Sequence, residues 1–385
     1  MTARTNLFVV ALALALLGTV MVYSATAAQS GIYFLAVRSA HVVLAIGTFF
    51  VARQVRYVLW RKLALPVYFV VLSSLILVLV PRIGDQINGA RRWFDLGPLS
   101  IQPAEFAKLA VVLLLACAVA RARPGAGLPA APIMAVGVVF LLVLVEPDFG
   151  TSVVIAAGAA GVLWASEVRT RDLLVGGSVA TAALVGAMFL EPYRRDRFLT
   201  FLDPWSVSDG PGYQIVQSMI AIRSGSYLGT GAGAGKGGTL IPEVHTDMIF
   251  ALIGEELGLL GMICVIGAFA FMVLTAFKIS LDAPSVMGRC LAAGLATMLA
   301  VQATFNIGAA MGVLPLAGMT LPFVSYGGSS IIVCFAAVGI LYRISGDGEI
   351  AREASRPRKA RRGAEGPDRR RRNGVTRDSR AVRGG

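Results

Sequence analysis

Residues 248–277 read MIFALIGEELGLLGMICVIGAFAFMVLTAF, an apolar run whose only charged residues are Glu255 and Glu256. A helix needs roughly 20 apolar residues to cross the hydrocarbon core of a bilayer, and this run is longer. An acid, an imidazole and a second acid stand just before it, in PEVHTD at 242–247. The stretch therefore predicts a membrane helix with ionisable groups at its mouth.

Similar apolar runs recur along the 385-residue chain, which is 56% hydrophobic and 15% charged, with a mean hydropathy of +0.73. Soluble domains carry about 25% charged residues, so the composition argues against a soluble protein. We predict an all-α fold, a polytopic membrane protein with ten transmembrane helices. The predicted spans are 7–27, 32–52, 60–80, 101–120, 130–146, 149–166, 173–190, 248–277, 287–312 and 326–345.

The positions of lysine and arginine predict the orientation. With a cytoplasmic N-terminus, every cytoplasmic loop carries Arg or Lys, as the positive-inside rule requires. Both termini are then cytoplasmic, and residues 191–247 form a large extracytoplasmic loop between helices 7 and 8. The stretch SATAAQS at 24–30 resembles a signal-peptide cleavage site, but the first span is long for a signal, and we expect it to be retained.

The chain divides into a transmembrane domain, 1–346, and a basic tail, 347–385, with 13 Lys and Arg against 6 Asp and Glu. The tail lacks apolar periodicity, which predicts disorder. Its charge favours attraction to anionic lipid, and we expect no nucleic-acid partner. Two of the loops predicted to be external also contain arginines, against the charge bias. These arginines either bind an anion outside the membrane or are ordinary loop charge. They are Arg82, Arg91, Arg92, Arg194, Arg195 and Arg197.

Asp247 stands at the external start of the eighth span. One interpretation is an N-cap, in which the carboxylate accepts hydrogen bonds from the first turn of the helix. The other is a general base for a substrate anchored in the membrane, since the carboxylate lies at the boundary between lipid and water. The two interpretations are compatible.

Ionisable side chains inside apolar spans are costly and usually face the interior of the helix bundle. Glu105 and Lys108 are three residues apart, so they share a helix face as a structural pair or as part of a polar cavity. Helical geometry places Glu255 and Glu256 away from Asp247, which favours a packing role. Two residues of the second span belong to the same class, Arg38 and His41.

The glycine-rich segment GTGAGAGKGG at 229–238 resembles a phosphate-binding loop only superficially. A Walker motif requires glycine and a hydroxyl residue at the positions of Thr230 and Gly237, and no strand precedes the segment. We predict a flexible hinge.

Five motifs together carry a resemblance to a known family: NGARRWFDLGPLSIQPAEFAKLA (88–110), EPDFGTS (146–152), DPW…GYQIVQS (203–218), IPEVHTDMIFALIGEELG (241–258) and LPLAGMTLPFVSYGGSS (314–330). They resemble the SEDS family of FtsW, RodA and SpoVE, in the expected order over about residues 5–345. Glu146 and Ala104 depart from the family, which commonly has Gln and Ser there. Gln302 and GMTLPFVSYGGSS are most similar to the FtsW and SpoVE branches.

The resemblance implies a peptidoglycan glycosyltransferase that polymerises lipid II on the outer face of the bacterial cytoplasmic membrane, in cell division for an FtsW-like member. It implies that Asp247 is catalytic. The residues expected to bind substrate are Arg92, Glu105, Lys108, Gln217, Ser218, Glu243 and His245, and Asp148 falls on a further family motif. A divalent metal, Mg²⁺ or Mn²⁺, is a possible cofactor without identified ligands.

The expected partners are lipid II, a glycan on polyprenyl pyrophosphate, a class B penicillin-binding protein with transpeptidase activity, and other divisome or elongasome membrane proteins. Three alternatives stay open. One is a RodA-like polymerase of cell elongation. The second is a lipid II flippase, in which intramembrane ionisable residues form the route and Asp247 only caps a helix. The third is a scaffold that docks through its tail.

Overall fold

The computed structural model describes residues 3–87, 90–95, 97, 100–122, 127, 129–190 and 192–355. The fold is mostly helical. Its helices are α1 Ala3–Ser30, α2 Tyr33–Gln54, α3 Tyr57–Leu79, α4 Pro103–Val119, α5 Ala130–Val145, α6 Phe149–Trp164, α7 Thr170–Leu190, α8 Pro192–Leu202, α9 Tyr213–Ser224, α10 Gly237–Leu240, α11 Ile249–Leu281, α12 Val286–Ala310 and α13 Gly328–Ser355.

A helix lies over each of the ten predicted spans. Among the described residues, seven helices are long and apolar enough to cross a membrane, namely those within α1, α2, α3, α7, α11, α12 and α13. The helices α5 and α6 are apolar but shorter. These lengths and compositions agree with the prediction of a polytopic membrane protein.

Helix α12 lies at the centre of the bundle, where it packs against α4, α6 and α11. Glycines allow close approach to α6: a Cβ on Gly161 would lie 2.4 Å from the Thr297 hydroxyl oxygen, and one on Gly294 would lie 2.5 Å from Val162. Small residues at helix interfaces are typical of membrane bundles. Helix α13 packs along α2 on the other side.

Helix α11 is broken at Gly258, whose φ of 66° and ψ of −165° are not helical. The preceding segment closes on the break, because Leu259 donates its backbone N–H to the Ser226 carbonyl oxygen at 3.0 Å and Thr230 donates to the Glu255 carbonyl oxygen at 2.9 Å. A Cβ on Gly258 would lie 2.4 Å from the Gly229 nitrogen. Only glycine satisfies both the backbone angle and the close approach.

The two glutamates of α11 have structural roles, as their helical angle predicted. The Glu255 carboxylate accepts hydrogen bonds from the backbone N–H groups of Lys236 and Gly237, each at 2.8 Å. Glu256 accepts a hydrogen bond from the Ser24 hydroxyl on α1 at 2.5 Å. The Glu255 bonds hold one end of the glycine-rich segment on α11, and the bond from the Thr230 N–H to the Glu255 carbonyl oxygen holds the other, so the predicted hinge is held at both of its ends.

The all-α prediction misses a small antiparallel sheet in the segment between α3 and α4. Its strands are β1 Asp85–Ile87, β2 Ala90–Asp95 and β3 Ser100–Ile101, in the order β1-β2-β3. Trp93 and Phe94 in β2 have the aromatic side chains that favour strands. The segment is too short and too mixed in polarity for a hydropathy pattern to reveal it.

The long segment 191–247 contains α8, a 3₁₀ turn at Trp205–Val207, α9 and α10. Apolar residues recur at helical spacing in the sequence from 212 to 227, with Ile215, Met219 and Ile222 on one side, and α9 covers most of this range. Helix α13 continues to Ser355, beyond the predicted end of its span at 345. The disorder predicted for 347–385 is wrong for residues 347–355, which continue α13, and residues 356–385 lie outside the described residues.

Candidate active site

The backbone at the mouth of α11 is held by the segment before α13. Tyr326 donates its backbone N–H to the His245 carbonyl oxygen at 2.8 Å, and the Ser325 hydroxyl donates to the Thr246 carbonyl oxygen at 2.5 Å. Asn306 on α12 donates to the Asp247 carbonyl oxygen at 2.9 Å. Hydrogen bonds from two other elements therefore fix the main chain of 245–247.

The Asp247 carboxyl group does not cap α11, because the N-cap residue is Met248 and no side chain bonds to the first turn there. It lies beside Gly318, where a Cβ would be 3.8 Å from Asp247 Oδ2 and 3.7 Å from Arg197 Nη1. Burial raises the pKa of Asp247 to about 6, and the Arg197 charge opposes that rise. A carboxyl group with this pKa is poised to accept a proton near neutral pH.

Asp247 opens into a cavity of about 340 Å³ that is lined by residues of several helices and of strand β2. The cavity gathers six of the eight residues predicted for catalysis or substrate binding. These are Arg92, Glu105, Lys108, Glu243, His245 and Asp247. Further lining residues include His41, Gln102, Thr151, Gln302, Thr320 and Tyr326.

The inner part of the cavity carries a buried ion pair. Lys108 Nζ lies 2.7 Å from Glu105 Oε2 and donates a hydrogen bond to Gln302 Oε1 at 2.8 Å. The Gln302 amide nitrogen in turn donates to the Thr320 carbonyl oxygen at 3.0 Å. An ammonium group needs such partners to stay charged when it is 2% exposed. The pair is therefore both structural and part of a polar cavity, the two roles that the sequence left open.

Arg92 reaches the cavity from strand β2. Its Nε donates to the Glu146 carbonyl oxygen and its Nη2 to the Pro147 carbonyl oxygen, both at 2.7 Å. Asp148 caps α6 by accepting the Thr151 backbone N–H at 3.0 Å. The guanidinium is thus tied to neutral carbonyl groups in the turn between α5 and α6, and its positive charge stays available to an anion.

His245 packs its ring against Phe34, at 5.3 Å between centroids, and against Tyr326, at 5.6 Å. Burial lowers the pKa of His245, so the imidazole is neutral at neutral pH. Two cationic groups, Arg92 and Arg197, therefore act on the acid at the cavity mouth together with a neutral imidazole. This arrangement suits a substrate with a nucleophilic hydroxyl group and a separate anionic leaving group.

A family model for FtsW, RodA and SpoVE, described as cell cycle protein, matches residues 4–349. The chain belongs to the FtsW/RodA/SpoVE family. Proteins named probable peptidoglycan glycosyltransferase FtsW in Trichlorobacter lovleyi and Geobacter sulfurreducens are 38% and 37% identical to it, each over 350 residues. The matched part is 88% of this chain and 92% and 94% of those proteins.

Two solved structures share the fold. A chain from a peptidoglycan synthase complex that coordinates polymerization and crosslinking is 32% identical, with a TM-score of 0.74 over 89% of this chain and 97% of that one. The rod shape determining protein RodA of Thermus thermophilus is 30% identical, with a TM-score of 0.66 over 89% of this chain and 96% of that one. The similarity covers the whole bundle.

The remaining two predicted substrate-binding residues of this FtsW/RodA/SpoVE chain lie on α9, away from the cavity lining. The Ser218 hydroxyl is buried and donates to the Ala310 carbonyl oxygen at 2.5 Å, which joins α9 to the end of α12. Gln217 is half-buried on the same helix. Their substrate-binding roles stay predictions, since α9 flanks the site instead of lining it.

Sequence reasoning missed Asn306 as a site residue, and it assigned Gln302 only to a branch of the family. The two are four residues apart and almost fully buried on α12, at 2% and 1% exposure. Polar side chains on one face of an apolar span could have identified them. Asn306 also donates to the Met319 carbonyl oxygen at 2.6 Å, so it connects Asp247 with the segment before α13.

Among the described residues, no group of three or more His, Cys, Asp or Glu side chains is arranged to hold a metal ion. Mg²⁺ commonly takes one or two carboxylates and completes its shell with substrate phosphates and water. The described residues therefore do not provide a metal site built from protein ligands alone.

Proposed function

We propose that this chain is a peptidoglycan glycosyltransferase that polymerises lipid II into glycan strands, with a role in cell division. The observation that carries the proposal is the Asp247 carboxyl group, which has a pKa raised to about 6 and the Arg197 and Arg92 charges acting on it. The relatives named probable peptidoglycan glycosyltransferase FtsW support the same reaction.

The site lies in the bacterial cytoplasmic membrane and faces outward. In this arrangement ten helices, α1–α7 and α11–α13, cross the bilayer, both termini are cytoplasmic, and residues 191–247 lie outside. The seven long apolar helices support it, as does the lysine and arginine bias of the loops. Both substrates keep their lipid tails in the bilayer, so the site must open sideways to the membrane.

The reaction joins a growing glycan on polyprenyl pyrophosphate to a lipid II acceptor. Asp247 accepts the proton of the acceptor 4-hydroxyl group as its oxygen attacks the anomeric carbon of the donor with inversion. The bond from that carbon to the pyrophosphate oxygen breaks, and the pyrophosphate leaves with the electron pair. Arg92, Arg197 and Lys108 supply the positive charge that stabilises the leaving group.

A metal ion at this site would take most of its ligands from the substrate pyrophosphate. Glu105 acts indirectly, because it orients Lys108. Glu243 and His245 contribute to the cavity wall beside the acceptor. Glu243 has a φ of 51°, and its main-chain carbonyl oxygen accepts a hydrogen bond from the Asp247 backbone N–H at 3.2 Å. Its backbone therefore also shapes the turn that presents the catalytic carboxyl group.

A class B penicillin-binding protein is the proposed partner, since the enzyme's product is the substrate of a transpeptidase. The similarity to a chain of a peptidoglycan synthase complex supports it. Other membrane proteins of the division machinery complete the assembly. Depletion of the protein tests the pathway: filamentous cells indicate division, whereas rounded cells indicate the RodA-like role in elongation.

The decisive experiment compares Asp247→Asn with Asp209→Asn, a matched change at an exposed acid in the same external segment. We expect Asp247→Asn to reduce glycan formation from lipid II at least about 100-fold with the partner present, the range for loss of a general base. Asp209→Asn should behave as wild type. Full polymerisation by Asp247→Asn would refute the catalytic role.

A second measurement separates polymerisation from transport. Wild-type protein in vesicles should form glycan from lipid II without requiring its movement across the bilayer. Lipid II translocation with no glycan product would favour a flippase instead. Glycan formation that needs the chain but tolerates every cavity substitution would favour the scaffold.

A further inference from the structure

Glu146 is a buried acid that the proposed reaction does not use. It follows α5 directly, in the turn before α6, and is 0% exposed. Neither of its carboxyl oxygens has a hydrogen-bond partner among the described residues. A carboxylate without partners is very costly to bury, so this geometry favours the uncharged acid.

The charged groups that act on Glu146 are Asp148 at the start of α6 and Arg92 on β2. Asp148 already accepts hydrogen bonds from the Thr151 hydroxyl at 2.9 Å and from Gln102 Nε2 at 2.8 Å. The Asp148 charge disfavours a second negative charge on Glu146, two residues away. The turn therefore favours the uncharged form of Glu146.

Arg92 donates a hydrogen bond to the main-chain carbonyl oxygen of Glu146 and none to its carboxyl oxygens. Nε and Nη2 use the carbonyl oxygens of Glu146 and Pro147. A guanidinium binds an ionised carboxylate more strongly than a carbonyl group, often through two bonds. Ionisation of Glu146 would therefore draw Arg92 toward the turn and neutralise it.

We propose that Glu146 is a positioning residue for Arg92: its uncharged carboxyl group leaves the guanidinium charge uncompensated, and that charge binds the pyrophosphate of the lipid-linked substrate. The pyrophosphate assignment rests on the proposed function. The positioning role is the effect of the Glu146 carboxyl group on the charge that Arg92 presents. This effect can be measured through ligand binding as well as through turnover.

Burial, with the Asp148 charge, raises the pKa of Glu146 to about 8, and Arg92 opposes the rise. The active acid form is present below that pH and is lost as pH rises through it. Asp247 has the opposite effect on activity, because its active base form appears as pH rises through its pKa of about 6. The two residues together predict a bell-shaped dependence of kcat/KM on pH.

The test measures kcat/KM for lipid II polymerisation by the full chain with its partner, from about pH 5.5 to 9.5, a range that covers both limbs. Wild type is compared with Glu146→Gln, which keeps the shape of the neutral acid. Glu167→Gln is the control, since that exposed acid only pairs with Arg289 at 3.2 Å. Glu146→Met provides a second uncharged variant of similar length.

We expect wild type and Glu167→Gln to lose activity above about pH 8, approaching tenfold per pH unit. Glu146→Gln should keep activity within about threefold of wild type at neutral pH and lose the alkaline limb. Glu146→Met should also lack that limb. An alkaline limb that persists in either uncharged variant, or is absent from wild type, would overturn the inference.

Binding of polyprenyl pyrophosphate without turnover makes the two proposals separable. Affinity should fall above about pH 8 in wild type and stay level in Glu146→Gln, because only wild type gains a charge beside Arg92. Level wild-type affinity across this range would overturn the positioning role even if polymerisation is confirmed. Conversely, a level profile in Glu146→Gln beside a falling one in wild type supports it even if the catalytic role of Asp247 fails.

Discussion

Asp247 owes its properties to residues that are distant in sequence. Its main chain is held by Asn306, its carboxyl group lies near Arg197 across Gly318, and its burial comes from the cavity wall. The sequence placed an acid at the mouth of a span, but it left the choice between cap and base open. The structure removes the cap, because Met248 occupies that position.

The first prediction at this scale concerns the acid limb of the pH profile. Asp247 has a pKa raised to about 6, and the base form is the active one. As pH rises toward that value, wild-type kcat/KM should therefore increase about tenfold per pH unit, and it should level off between about pH 6 and pH 8, before the alkaline limb begins. A rate that is already constant from pH 4.5 upward would contradict the raised pKa.

The second prediction concerns Asn306→Ala. The change leaves the carbonyl groups of Asp247 and Met319 without their donor in a buried place. We expect a loss of about 1–3 kcal/mol in the free energy of unfolding, with a larger relative loss in kcat than in substrate affinity. Thr48→Ala, which removes an exposed hydroxyl bonded only within α2, is the control and should match wild type in both measurements.

Helix α11 shows how one element can be continuous in sequence and interrupted in space. Hydropathy predicted a single span because 248–277 is apolar throughout. The break at Gly258 depends on the approach of Ser226–Gly231, and a contact between separate segments leaves no trace in a hydropathy pattern. Glu255, just before the break, signalled it indirectly, since its carboxylate bonds the backbone of the glycine-rich segment that packs there.

Two alanine substitutions in α11 test the break. Gly258→Ala adds a Cβ 2.4 Å from the Gly229 nitrogen at a φ of 66°, so we expect a marked loss of thermal stability, at least about 1–2 kcal/mol from the backbone angle alone. Gly267→Ala adds a Cβ with nothing within 4 Å, and helix propensity predicts a gain of up to about 1 kcal/mol. Equal effects in detergent melting curves would argue against the break.

At the scale of the whole molecule, the sequence located the helices well because composition changes sharply between membrane and water. It also identified six residues of the cavity, through motifs in two separate segments, 88–110 and 241–258. It could not reveal the β1-β2-β3 sheet or the role of Asn306, which depend on contacts between segments. The position of α9 beside the cavity likewise depends on how the helices pack. The motif that contains Gln217 and Ser218 gives no information about that packing.

Two truncations test how far the folded domain extends. The end of α13 is tied down by ion pairs, Arg343 with Asp347 at 3.0 Å and Arg4 with Glu349 at 3.1 Å. Removing residues 356–385 should leave the melting temperature unchanged, whereas removing 347–385 should lower it, because each pair contributes about 0.2–1 kcal/mol. A larger loss from the shorter truncation would contradict this boundary.

The break at Gly258 also separates Asp247, the proposed general base, from the part of α11 whose length must match the bilayer. Residues 259–281 alone exceed the roughly 20 residues that a crossing requires, while Ile249–Ile253 are completely buried within the protein. Hydrophobic mismatch in a thinner or thicker membrane is accommodated by tilting the lipid-facing part of a helix. We expect the tilt to be taken up beyond the break, so that Asp247 keeps its surroundings in membranes of different lipid composition.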